Sequence, residues 1–187
     1  MPVEKMVMTR HKGVKQLMAK PQIEEIIPDY LDGDFRKAAM DWVEWLRANK
    51  FSVRQSTPGN TDGWRAVYKG KAICGMVFWP YTGKNWSVAP ILYHKDEYTE
   101  LVINRGLQHL FWDNVKYCDG CPPGTGEPRK YKDRPCIGGY NATLFGKEFK
   151  GICANNRHTN NPNPDEARVN DIKKLLELEK NARDAVN

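Results

Sequence analysis

The sequence predicts an α+β fold: a four-stranded antiparallel meander with helices packed on it, then a cysteine-rich loop, then a C-terminal helix. Three observations predict it. Apolar residues repeat at helical spacing between Asp34 and Lys50. The period then switches to strand alternation between Phe51 and Tyr93. Four of the five cysteines fall in a Gly/Pro-rich stretch beyond residue 117. At 187 residues the chain is long enough to build one core without disulfides. With 40% hydrophobic and 28% charged residues it is too apolar for a wholly disordered chain. No run approaches the ~20 apolar residues of a membrane span. Residues 1–20 are polar and basic, without the apolar core of a secretory signal, so the expected compartment is the cytoplasm.

The elements follow in order. Residues 1–20 lack periodicity and read as a basic arm ahead of an α+β core over 21–117. Gln22 to Ile27 suits a short helix stopped before Pro28. Phe35, Ala38, Ala39, Trp42, Val43 and Leu46 form one broad apolar helical stripe, with Asp34 as the expected N-cap. Phe51 to Ser56 reads as a strand, and Thr57 to Gly63 as a turn cluster. Trp64, Ala66 and Tyr68 alternate with Arg65, Val67 and Lys69, as a half-buried strand requires. Lys69-Gly70-Lys71 is a hairpin, Ala72 to Trp79 an apolar strand, and Trp86 to Tyr93 a fourth strand. Asp96 onward returns to helical spacing, interrupted at Gly106. Residues 118–163 form the cysteine-rich loop, within which Thr143 to Ala154 suits a short helix or turn. Residues 164–187 form the final helix, with Asn163 as cap, Pro164 in the first turn, and Val169, Ile172, Leu175 and Leu176 on the buried stripe.

The net charge of +6 is unevenly spread. Residues 1–20 and 116–157 each carry a surplus of four positive charges, and the rest is nearly balanced. These segments are where phosphate groups would be met, if nucleic acid is a partner.

Cys118, Cys121, Cys136 and Cys153 are spaced C-x2-C-x14-C-x16-C in a segment poor in large apolar side chains. Four thiolates suit tetrahedral Zn²⁺ at about 2.3 Å per bond, and Gly120 allows the tight turn between the first pair. Folding onto the ion would order a stretch that a hydrophobic core cannot. An iron centre, a redox-active Cys118/Cys121 pair and disulfides are the alternatives this spacing leaves open. Four protein ligands leave no open position for water, so such a zinc would be structural. Cys74, inside an apolar strand, reads as a small buried hydrophobe.

Seven aromatic residues crowd the meander, and alternate residues of a strand share a face. Some therefore point away from the helices. Trp79, Tyr81, Trp86 and Tyr93 are the expected ligand-binding residues on that face. Catalytic patterns are missing: there is no phosphate-binding Gly-rich loop, no G-x-S-x-G elbow and no H-E-x-x-H pair. The four histidines are scattered, and Asp41 and Glu44 sit at solvent-facing helical positions.

Two stretches carry a resemblance. One is Asp41-Trp-Val-Glu-Trp-Leu-Arg-Ala-Asn-Lys50 with Trp64-Arg-Ala-Val-Tyr-Lys-Gly-Lys-Ala-Ile-Cys74. The other is Cys118-Asp-Gly-Cys121 with Phe145-Gly-Lys-Glu-Phe149, Cys153 and Asn161-Pro162. Over residues 35–180 the chain resembles a group of small bacterial four-cysteine proteins, mostly from anaerobic Gram-positives, for which no activity transfers. The helix-then-meander order is also similar in topology to the YjbR-like and frataxin-like folds. The expected function is a non-enzymatic binding module that holds a small molecule or partner segment on an aromatic sheet face, with a structural zinc. The alternatives are nucleic-acid binding through the basic cysteine-rich segment and arm, and a thiol or metal sensor.

Overall fold

The computed structural model describes residues 21–57, 62–79, 85–117, 130–131, 134–135, 139–153 and 158–186. The basic arm over 1–20 lies outside them.

Helices α1 (Ile23–Tyr30) and α2 (Gly33–Ala48) come first. α1 runs through Pro28 and ends at Tyr30, where the Leu31 N–H closes on the Ile27 carbonyl. The helix therefore outlasts the stop expected before the proline. It is held from outside: Ile23 and Ile27 are fully buried, and Arg47 of α2 pairs with Glu24. The Arg47 guanidinium holds the Glu24 carboxyl below its usual range. The N-cap of α2 is Asp32, two residues before the expected Asp34, and Ala38, Ala39, Trp42, Val43 and Leu46 are its buried stripe, as the spacing predicts.

Strands β1 (Ser52–Gln55), β2 (Gly63–Tyr68), β3 (Lys71–Trp79) and β4 (Asn85–Pro90) pair antiparallel in sequence order. The β2–β3 hairpin turns through Lys69 and Gly70, both at positive φ. A 3-10 turn (Lys95–Tyr98) leads to α3 (Thr99–Asn104) and α4 (His109–Trp112), separated at Gly106, which has φ of 67°. Short strands β5 (Lys130–Tyr131) and β6 (Arg134–Pro135) pair with each other.

The stretch expected to be a cysteine loop contains more structure than its composition suggests. β7 (Gly139–Leu144) and β8 (Lys147–Cys153) form a hairpin, not a helix, over Thr143 to Cys153. Its turn puts Phe145 at φ 45° and Gly146 at φ 82°. Positive φ is costly for an aromatic residue. Packing holds it there: the Phe145 ring lies 4.5 Å from that of Phe111, and the Trp112 indole donates to the Leu144 carbonyl at 2.7 Å. Within the hairpin a Cβ on Gly139 would lie 3.0 Å from Gly151 backbone atoms, and Gly151 has φ of 71°. G139A should therefore destabilise the fold by about 1–3 kcal/mol through backbone overpacking. A lower urea midpoint with unchanged slope would show it, and an unchanged midpoint would refute it.

Strand β9 (Asn161–Pro162) joins β4, so the sheet has five strands in the order β1-β2-β3-β4-β9 rather than four. Side-chain amides make the join. Asn163 accepts the Trp86 N–H at 3.0 Å and donates to Asn85 at 2.9 Å. Asn161, fully buried, accepts from Arg168 at 2.8 Å and from Asn114 at 3.1 Å. α5 (Glu166–Val186) closes the core with Val169, Ile172, Leu175 and Leu176. Asp165 caps it, accepting the Arg168 N–H at 2.8 Å. Asn163, the expected cap, is spent on β4 instead.

The helices cover one face of the sheet. The Trp42 indole points at the Met76 sulfur at 3.1 Å, the Tyr30 ring lies 5.6 Å from Phe78, and Tyr68 donates to Asp184 of α5 at 2.8 Å. Among the described residues no helix is long and apolar enough to cross a membrane.

Candidate functional site

Strand parity decides which aromatics reach solvent. In β3, Cys74, Met76 and Phe78 are buried, while Trp79 is 37% exposed and Gly75 and Val77 are half-buried. Trp86 stands directly opposite Phe78, and their rings stack at 6.5 Å with planes 9° apart. Directly opposite residues share a face, so Trp86 belongs to the helix side, where it is fully buried. It is a core residue and not a ligand contact, which corrects the expectation from aromatic density. Its indole N–H finds no hydrogen-bond acceptor among the described residues.

Tyr93 is 53% exposed but stands elsewhere. It follows the end of β4, whereas Trp79 pairs with Asn85 at the beginning of that strand. Its ring lies 5.3 Å from the Arg183 guanidinium, over α5. Trp79 and Tyr93 therefore do not share a site. Tyr81 lies outside the described residues. Of the four expected ligand residues, Trp79 alone is placed on the helix-free face among those described.

The same parity brings forward residues that aromatic content does not reveal. Arg54 pairs with Arg65, Arg65 with Gly75, and Gly75 with Ala89. These four make one row across β1, β2, β3 and β4. Both arginines are exposed, Gly75 and Ala89 are half-buried, and neither arginine has an ion-pair or hydrogen-bond partner among the described residues. A Cβ on Gly75 would meet nothing nearer than the Ala89 carbonyl at 3.9 Å. The next row on this face, Gly63, Val77 and Ser87, is more enclosed, with Gly63 and Ser87 buried. Trp79 lies four residues beyond Gly75 on the same strand and face, about 13 Å away at the strand rise.

The metal set is only partly within view. Cys118, Cys121 and Cys136 lie outside the described residues. Cys153 carries a free, half-buried thiol at the end of β8. It pairs with Gly139, and its N–H bonds the Lys116 carbonyl at 3.0 Å. Tyr117 bridges Ile152. Among the described residues no group of three or more His, Cys, Asp or Glu is arranged to hold a metal ion. Cys74 is fully buried, and burial pushes its thiol pKa far up, which suits a packing role.

His158 meets the Tyr140 hydroxyl at 3.4 Å. Burial, and then the Lys95 charge, hold its pKa below the usual imidazole value of 6.5. The folded state therefore binds this proton less readily than the unfolded one. Its contribution is intact above the unfolded value and lost as pH falls below it, through the lower folded value. Stability should drop on acidification below about pH 6.5, and H158Q should flatten that part of the profile. An identical pH–stability profile in the variant would refute the assignment.

The clefts lined by described residues lie away from the sheet row. One of about 380 Å³ separates α2 from the start of α5 and is lined by Asp34, Lys37, Asp41, Asp165 and Glu166. Two of its carboxylates are already engaged, Asp41 by Lys173 and Asp165 by the α5 backbone. Comparison with protein-family models, with curated proteins and with solved structures gives no match to this chain.

Proposed function

We propose that the protein is a non-enzymatic binding module whose ligand lies on the helix-free face of the sheet. The observation that carries this is the pairing of exposed Trp79 with the exposed Arg54–Arg65 row on one face, away from the helices. A solvent-facing indole on a sheet supplies a flat, apolar contact at small entropic cost. The scattered histidines and the absence of catalytic sequence patterns favour binding over chemistry. The test is tryptophan emission of the full chain across a panel of metabolites, peptides and oligonucleotides, repeated in W79F. A response that disappears in W79F is expected. Responses identical in both proteins, or none at all, would overturn the proposal.

The proposal includes a structural zinc on Cys118, Cys121, Cys136 and Cys153. Backbone register supports it: Tyr117, which directly precedes Cys118, pairs beside Cys153, and Gly139, three residues after Cys136, pairs with Cys153 itself. Elemental analysis of the purified protein should find one zinc per chain, reduced in C153S. Metal-free protein with an unchanged melting temperature would remove the zinc.

A further inference from the structure

We infer that the cleft between the 3-10 turn and the β7–β8 hairpin binds a free α-amino acid with an aliphatic side chain, its carboxylate on Lys95 and its ammonium on Asp96. This is a second site, apart from the sheet face proposed above.

The first argument is the cleft itself. It encloses about 240 Å³, with Lys95, Asp96 and Thr99 on one wall and Leu144, Phe145 and Gly146 on the other. That is below the ~300–1,000 Å³ of sites that take drug-sized ligands, so its occupant is smaller. Both walls are anchored from behind. Glu179 accepts from the Tyr93 and His94 N–H groups and from the Tyr98 hydroxyl, which fixes the turn. The Thr99 hydroxyl donates to the Lys95 carbonyl at 2.8 Å. Across the cleft, the Trp112 indole holds the Leu144 carbonyl at 2.7 Å, and the Phe111 ring backs Phe145 at 4.5 Å. Walls held in this way are shaped before the ligand arrives, so binding spends little on ordering them.

The second argument is charge. Lys95 and Asp96 are adjacent, exposed and opposite in sign, yet neither side chain has an ion-pair or hydrogen-bond partner among the described residues. Neighbouring charges are engaged elsewhere: Glu97 meets His94 at 3.1 Å, and Lys147 lies over the Trp112 and Phe149 rings at 5.2 and 5.0 Å. One free cation and one free carboxylate therefore face the same small space. A zwitterion satisfies both. A simple anion meets repulsion from Asp96, and a simple cation meets it from Lys95, so the pair selects against each.

The third argument is the floor. Leu144 and Phe145 are each 7% exposed, and both line the cleft, so the surface they keep open is apolar. An aliphatic side chain laid on it leaves water and gains by doing so.

The experiment is titration of the ¹⁵N-labelled full chain with L-leucine, followed by its amide resonances. Matched titrations use 4-methylpentanoate, which lacks the ammonium, 3-methylbutylamine, which lacks the carboxylate, and glycine, which lacks the side chain. Expected is saturable binding of L-leucine with shifts at the Lys95, Asp96 and Gly146 amides. Each of the two truncated ligands should bind about tenfold more weakly, the loss of one charge-assisted hydrogen bond. Glycine should also bind more weakly than L-leucine. D96N should weaken L-leucine about tenfold and leave 4-methylpentanoate unweakened, and K95A should do the same for L-leucine against 3-methylbutylamine. Both side chains are exposed and unpaired among the described residues, so the variants should keep the wild-type melting temperature. No binding of L-leucine at millimolar concentration, binding unchanged in both variants, or equal binding of L-leucine and its two truncated forms would overturn the inference. None of these titrations depends on Trp79, so the sheet-face reading stands or falls by its own test.

Discussion

E179A should lower the unfolding free energy by about 3–5 kcal/mol, the cost of leaving three neutral donors without the acceptor they share. Glu179 is fully buried on α5. One carboxylate oxygen accepts three hydrogen bonds: the Tyr98 hydroxyl at 2.7 Å and the N–H groups of Tyr93 and His94, each at 3.1 Å. Those donors lie where the chain leaves β4 and enters the 3-10 turn, a segment with no strand ladder of its own. Burial, and then the hydrogen bond to Glu179, push the Tyr98 phenol far above its usual pKa, so it remains a donor throughout the accessible pH range. Removing the carboxylate leaves the buried Tyr98 hydroxyl and the part-buried N–H groups of Tyr93 and His94 without their shared acceptor. E179Q keeps an acceptor and the volume but loses the charge, so its cost should be about 1–2 kcal/mol. Urea unfolding with matched slopes separates the three proteins. Equal midpoints for wild type and E179A would mean that the segment is held by other contacts.

W86A should cost about 3–5 kcal/mol, while W79A should stay within about 0.5 kcal/mol of wild type. The two tryptophans are near neighbours on paired strands, and only parity separates them. Trp86 is fully buried against Phe78, whereas Trp79 faces solvent. Among the described residues the Trp86 indole N–H has no acceptor, so W86F sacrifices volume but no hydrogen bond and should lose clearly less than W86A. Thermal and urea unfolding of the three variants give the comparison. A large loss in W79A or none in W86A would invert the assignment of the two sheet faces.

The helix at 33–48 is legible because six apolar residues keep one period over about three turns. The meander was legible because its turns carry glycine and its strands alternate. Which face each strand presents was not. That depends on register, and register depends on details such as the irregularity between Ala66 and Val67, which no local pattern encodes. Hence aromatic density places Trp86 outside, and strand alternation alone does not reveal that Arg54 and Arg65 are neighbours. The signal was there in principle: each arginine is flanked by residues of the buried face. Strand β9 was hidden for another reason. Asn161-Pro162 has no apolar alternation, and it is fixed by amide side chains from residues distant in sequence. The β7–β8 hairpin was obscured by its glycines and by a turn that holds Phe145 at positive φ through a contact with Phe111.

The two-residue strand beside β4 has a consequence for how copies of the chain meet. It forms one outer margin of the sheet, and its second residue is Pro162, which has no amide hydrogen to offer. At the opposite margin β1 is four residues long and presents the charge of Arg54. Neither boundary offers an incoming chain a long ladder of free amides, the template from which fibrils and swapped dimers grow. The five-stranded sheet, as far as its described edges go, should therefore resist strand-by-strand growth despite its high aromatic content.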